Sequence, residues 1–274
     1  MFKTILTRAF SGAVFVAIMI GSIFWSPIAL AVILFVLTGL GLYEFYKLFI
    51  KARVIKKTYS GLVLGLVVYS LITAVAFSWL NPFVILGIFP LIFLFFVFEL
   101  YKKNDQPFNQ IAYQLLGTIY IAIPFSLYHF VHQYPIGGEA DFEPWLLSGI
   151  FFLIWTNDTF AFLFGISFGK HPLFKRISPK KSWEGTIGGG LSTFGMAWLL
   201  GVYTNTMDLN NWIIIAAIVV PSAIFGDLVE SMLKRSINVK DSGNIMPGHG
   251  GVLDRFDAAN FALPFVVFFL YLLI

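Results

Sequence analysis

The sequence predicts an all-α, polytopic integral membrane protein with about nine transmembrane helices and a cytoplasmic N-terminus. Three observations lead there. First, 58% of the 274 residues are hydrophobic, 18% are aromatic and only 12% are charged, far from the balance of a water-soluble domain. Second, continuous apolar runs such as 28–42 and 83–98 lack the period-two alternation of a barrel strand, and a helix is the other structure that satisfies its own backbone in lipid. Third, the cations gather in alternate polar segments.

Apolar runs between polar breaks place the spans at 9–25, 27–48, 59–80, 82–101, 111–131, 145–165, 186–204, 212–232 and 258–274. With the N-terminus inside, the inner segments are 1–8, 49–58, 102–110, 166–185 and 233–257, and of the 18 Lys and Arg all but Lys47 fall in them. Lys47 stands at the inner end of the second span. The outer segments near Ser26, Asn81, 132–144 and 205–211 hold no Lys or Arg, while Glu139, Asp141, Glu143 and Asp208 lie there. This asymmetry follows the positive-inside rule and supports both span count and orientation. The first run, behind Lys3 and Arg8, also has the form of a signal peptide, but no convincing small-residue cleavage site precedes the next apolar stretch, so it is counted as a span. No internal repeat, low-complexity tract or long linker divides the chain. Residues 1–131 are expected to form a hydrophobic helical scaffold suited to dimer contacts, and 132–274 a catalytic membrane region with cytoplasmic active-site loops.

Cysteine is absent, which excludes disulfides, thiolate metal sites and cysteine nucleophiles. The chemistry concentrates in 227–257, DLVESMLKRSINVKDSGNIMPGHGGVLDRFD. If the eighth span continues helically, Asp227, Glu230 and Lys234 share a face at i, i+3 and i+7. An acid at that depth is a functional hypothesis by default, and a structural ion pair with Lys234 is the blander reading. Pro247-Gly248-His249-Gly250-Gly251 brings bare backbone amides to an anion as phosphate-cradling loops do. Asp254 and Asp257, one turn apart, aim the same way. With Asp227 they form an oxygen donor set suited to Mg²⁺ completed by substrate phosphates, with room for a second metal ion. Zinc is disfavoured, because His249 is isolated among carboxylates; it either donates to a phosphate or caps the loop.

The other long inner segment carries Asp158, then Ser178-Pro-Lys180-Lys181-Ser182-Trp-Glu184-Gly185. Lys180 and Lys181 are topology-setting cations or, with Ser178, Ser182 and Glu184 beside them, a polyphosphate site. Ser182 is placed to cap the following helix, whose N-terminus favours an anion. Gly185, Gly188, Gly189, Gly190 and Gly195 are read as close helix packing, since no strand precedes them as a dinucleotide loop requires. Glu44, Glu99 and Asp105 are read as interfacial, solvated carboxylates.

Ser231-Met-Leu-Lys-Arg, Lys240-Asp-Ser-Gly, Pro247-Gly-His-Gly-Gly and Asp254-Arg-Phe-Asp257, in that order, resemble the phosphatidate cytidylyltransferase (CDP-diacylglycerol synthase) family. Asn157-Asp-Thr-Phe-Ala and Ser178-Pro-Lys-Lys-Ser-Trp-Glu-Gly support the resemblance, which covers roughly the C-terminal half. It implies a Mg²⁺-dependent reaction of CTP with phosphatidic acid that yields CDP-diacylglycerol and pyrophosphate. Asp227 and Asp254 are the expected metal ligands, with Asp257 as a third or as an acceptor behind them. Lys234 and Arg235 are expected on the lipid phosphate and Lys180 and Lys181 on the CTP phosphates, an assignment that can be exchanged. Lys240, Asp241, Gly248, Gly250, Gly251, Arg255 and Asp158 complete the substrate-contacting set, with Ser182 and Glu184. Departures are Met246 for an expected Leu, Ile or Phe, Ser182 for a common Thr, and Phe162 for an expected Tyr.

The expected location is the inner (plasma) membrane with the site facing the cytoplasm. Partners are the two substrates and the bilayer, with small-residue helix faces suited to a homodimer and no nucleic acid expected. Two other readings stand beside this one: a transporter of an anionic solute, which also predicts many spans but leaves the polar cluster in cytoplasmic loops unexplained, and a CTP-dependent polyprenol kinase, which would move the γ-phosphoryl group instead.

Overall fold

The computed structural model describes residues 2–56, 59–135, 142–239, 242–243 and 250–274, with side chains from residue 10 onward. Nearly all of them are helical: α1 Phe2–Trp25, α2 Pro27–Lys51, α3 Ser60–Ala76, a 3₁₀ turn Pro82–Gly87 leading into α4 Ile88–Leu100, α5 Pro107–Gly117, a π turn Thr118–Ala122 leading into α6 Ile123–His132, α7 Pro144–Phe168, α8 Trp183–Tyr203, α9 Leu209–Ser236 and α10 Leu253–Tyr271. The protein is an all-α membrane protein. Among the described residues five helical stretches are long and apolar enough to cross a bilayer: Pro27–Lys51, Pro82–Leu100, Pro107–His132, Pro144–Phe168 and Leu209–Ser236. Phe10–Trp25 and Ser60–Ala76 are apolar but shorter. Among the described residues the strand structure is an antiparallel hairpin, β1 Pro172–Phe174 and β2 Ser178–Ser182, too short for the sequence to announce. The chain divides into two compact units, one of residues 1–133 with 241–253 and the other of 134–240 with 254–274.

In the first unit, α2 opens with Ser26 accepting the Ile28 amide at 3.2 Å and Pro27 at the first helical position, where a missing N–H costs nothing. Tyr46 reaches from α2 to the Gln114 carbonyl at 2.9 Å. It fits because Gly61 and Gly117 leave room: a Cβ on either would lie 2.8 Å or less from its phenol. The π turn at 118–122 has a local cause in Pro124, whose ring clashes with the Tyr120 carbonyl and supplies no N–H to it. Two acids correct the sequence reading. Glu44 and Glu99 are each only 2% exposed, so neither is a solvated interfacial carboxylate. Glu99 is held by Lys102 at 2.9 Å and by Asn104 at 3.1 Å, while Glu44 meets backbone amides of 252–253. Both helices bury an acid only where donors await it. Asp105 does lie at the surface, paired with Lys56 at 2.9 Å.

In the second unit, α7 and α8 approach backbone to backbone. A Cβ on Gly189 would stand 2.7 Å from the Asn157 carbonyl, one on Gly185 2.6 Å from the Ala161 carbonyl, and one on Gly188 would enter the Phe164 ring. The glycines at 185, 188 and 189 therefore pack helices, as expected; Gly190 touches Val220, and Gly195 faces open space. Gly226 does the same for α9 against α10, where a Cβ would lie 2.6 Å from the Asp257 carbonyl. Gly149 accommodates the fully buried Trp212 of α9. These approaches set how closely the acids and lysines of α7, α9 and α10 gather. Gly189→Ala is expected to destabilise the protein by about 1–3 kcal/mol through overpacking against backbone. Gly195→Ala, with space around it, should be neutral or slightly stabilising. Tryptophan-fluorescence melting of both variants in detergent checks the contrast.

Candidate active site

The second unit brings the charged residues of four elements together. Asp158 comes from the middle of α7, Lys180 and Lys181 from β2, Asp227, Glu230 and Lys234 from one face of α9, and Asp254, Arg255 and Asp257 from the first turns of α10. Helical continuity of α9 through Ser236 delivers the i, i+3, i+7 face that the sequence predicts. α10 opens at Leu253, so Asp254 and Asp257 lie one turn apart at its start.

Two ion-paired groups result. Lys181 pairs with Asp227, whose other carboxylate oxygen accepts from Ser231 at 3.2 Å. Asp227 therefore finds its cation on the hairpin; Lys234 is taken elsewhere. Lys234 lies 2.7 Å from both Glu230 and Asp254, and all three side chains are nearly buried. One ammonium balancing two carboxylates leaves that group short of positive charge, which favours a cation or a proton nearby. Asp257 lies in the electrostatic reach of Glu230, Asp227 and Asp158, and Asp158 in that of Lys181, Asp227 and Arg255. The acids and bases thus form one connected cluster.

A cavity of about 500 Å³ opens on this cluster, lined by Asp158, Lys180, Lys181, Ser182 and Asp227 on its polar side. Phe162, Ile166 and Ile224 form its apolar wall. Phe162 brings no phenol to it, so a hydrogen bond expected of Tyr at that place is missing. Ser182 keeps its hydroxyl role: Oγ caps α8 by accepting the Gly185 amide at 3.2 Å. The hairpin that carries Lys180 and Lys181 is fastened at its root by Glu184, which accepts the Lys170 amide at 3.1 Å and bonds His171 Nδ1 at 2.6 Å. The His171 bond, with those backbone amides behind it, holds the Glu184 carboxyl down at about 2. Glu184 thus ties the segment leading into β1 to the start of α8 and closes the base of the hairpin that presents the lysines.

Other expected site residues fall elsewhere. Arg235 is exposed at the end of α9, where it bonds the Val239 carbonyl at 3.2 Å. Gly250 adopts φ 88°, a left-handed conformation that favours glycine, and Gly251 is buried in the first unit. Lys240, Asp241, Gly248 and His249 lie outside the described residues, as does Met246. Among the described residues no three His, Asp or Glu side chains converge as a closed metal cage. The structure brings forward two groups to which the sequence assigned no role in the site. Glu230 was legible as the acid of the shared α9 face, and His171 carried no signal, since its role depends on the hairpin.

A carboxylate-and-lysine cavity beside an apolar wall suits chemistry on a phosphate carried by a lipid, and comparison with known proteins points the same way. The phosphatidate cytidylyltransferase of Rickettsia bellii is 38% identical over 201 residues, covering 71% of this chain and 83% of that protein. The phosphatidate cytidylyltransferase of Staphylococcus epidermidis is 33% identical over 189 residues, 68% of this chain and 69% of its own length. That of Haemophilus influenzae is 38% identical over 170 residues, 58% of this chain and 57% of that protein. The family model described as "Cytidylyltransferase family" matches residues 6–273, which include both the helical scaffold and the acid–lysine cluster, and the chain accordingly belongs to the cytidylyltransferase family.

Proposed function

We propose that this protein transfers the cytidylyl group of CTP to phosphatidic acid, forming CDP-diacylglycerol and pyrophosphate in phospholipid synthesis. The observation that carries the reading is the cavity in which Lys180, Lys181, Asp158 and Asp227 meet an apolar wall. Relatives named phosphatidate cytidylyltransferase support it over phosphoryl transfer to a polyprenol or solute transport. A phosphate oxygen of phosphatidic acid attacks the α-phosphorus of CTP, and the bond from that phosphorus to the bridging oxygen breaks to release pyrophosphate. The nucleophile is anionic at neutral pH, so no strong general base is needed. Positioning and neutralising two polyanions is the task.

Lys181, already paired with a carboxylate at the cavity, exchanges part of that pairing for substrate phosphate, with Lys180 beside it. The buried Lys234 holds Glu230 and Asp254 in place and balances their charge, and Arg235, exposed at the end of α9, is the cation proposed to meet a lipid headgroup. Gly250 and Gly251 belong to the loop proposed to receive phosphate oxygens. The donor set suits Mg²⁺: the acids are all oxygen donors, and Asp227 and Asp257 lie within electrostatic reach of each other. Asp227 and Asp254 would hold the ion, with Asp257 as a third ligand or as an acceptor behind them. When bound, the ion supplies charge neutralisation at the pyrophosphate being released.

We place the protein in the cell inner membrane with this site facing the cytoplasm, in keeping with the cations of 166–185 and 233–257. Because the chain has no cysteine, single substitutions report topology directly. Lys175→Cys should resist an impermeant maleimide in spheroplasts and react after permeabilisation, whereas Asp208→Cys should react in both. The reverse pattern would overturn the orientation.

For the reaction, α-³²P from CTP should enter a chloroform-soluble product with phosphatidic acid and Mg²⁺, and γ-³²P should not. Asp227→Asn and Lys181→Ala should each lower kcat by about 10²-fold or more. Lipid labelled from the γ position would identify a kinase.

A further inference from the structure

Glu44 is an acid in the apolar helix α2, 2% exposed, and its carboxylate is spent on backbone far away in sequence. Its Oε2 accepts the Val252 amide at 2.7 Å and the Leu253 amide at 3.3 Å. These amides open α10, where helical geometry supplies no acceptor, so Glu44 caps that helix from a different segment. The carboxylate also faces two glycines: a Cβ on Gly243 or on Gly251 would run into it, and on Gly251 into the Ser242 hydroxyl as well. Gly250, next to them, needs its left-handed φ of 88°. One buried carboxylate therefore gathers both flanks of residues 244–249 and the entrance of α10.

We infer that Glu44 is a positioning residue: it fixes Gly243 and the Gly250–Leu253 stretch in the conformation competent to receive CTP, without touching substrate. The inference rests on the cytidylyl-transfer reading above. Glu44 offers two charged hydrogen bonds that no solvent can replace at 2% exposure. Without them the segment samples other conformations, and apparent affinity for CTP falls by the fraction of molecules left competent. Saturating CTP recovers that fraction, so the loss belongs to KM more than to kcat.

The test compares the full-length wild type with Glu44→Gln in detergent, reading steady-state kinetics against CTP and amide exchange by mass spectrometry. Glu44→Gln should raise KM for CTP about tenfold or more while kcat stays within about threefold. Exchange at Val252 and Leu253 should quicken without CTP and slow again at saturating CTP. Unchanged KM in a folded variant, or a fall in kcat at constant KM, overturns the inference, as does unchanged exchange. Should Glu44→Gln not fold, Gly251→Ala crowds the same carboxylate and should raise KM likewise. Glu44→Asp, one methylene shorter, should then partly restore CTP affinity in the double variant, and strict additivity would count against the contact. A wild type that transfers no label fails the functional reading instead, and the exchange measurement still decides whether Glu44 holds the segment.

Discussion

A carboxylate set into an apolar helix must be met by a cation or by backbone N–H groups, because an ion left without either in low dielectric is too costly to bury. That requirement organises both units of this protein. Glu44 takes the amides of Val252 and Leu253, Glu99 takes Lys102 and Asn104, Asp227 takes Lys181, and Glu230 and Asp254 share Lys234. Each pairing fixes a helix against a segment distant in sequence or against its own next turn. A hydrophobic surface alone is uniform and would let such helices slide; a charge with one partner does not.

The same pairings make the second unit chemically useful. A lysine held by a carboxylate stays charged and oriented, yet it can hand that contact to an arriving phosphate at small net cost, since one oxyanion replaces another. Lys181 beside Asp227 is arranged this way, and the hairpin fastened by Glu184 keeps it at the cavity. Lys234 is set deeper, between two acids, and serves charge balance where water is scarce. The apolar wall of Phe162, Ile166 and Ile224 stands beside these cations, so one cavity offers both an apolar surface and fixed positive charge.

Glycine does the complementary geometric work. The α7–α8 pair closes to backbone contact through Gly185 and Gly189, and α9–α10 through Gly226. Side chains there would push the helices apart and stretch every ion pair that spans them. In lipid, where apolar surface gives helices little reason to associate, such close packing supplies van der Waals attraction instead.

The helical membrane fold was legible in the sequence because it follows from local quantities: apolar run length, the absence of alternation, and the distribution of cations. So were the shared face of Asp227, Glu230 and Lys234, the pairing of Asp254 and Asp257 on one turn, and the cap at Ser182, all of which need only helical periodicity or a neighbour three residues away. Partnership was not legible. That Asp227 pairs with Lys181, that Asp254 joins Glu230 on Lys234, and that Glu44 meets the amides of 252–253 depend on which segments return to the same place. Glu44 was misread as interfacial for that reason: its position near the end of an apolar run is a local fact, whereas its burial is supplied by chain some two hundred residues later. Local spacing determines what a helix presents, and only tertiary packing decides what it presents it to.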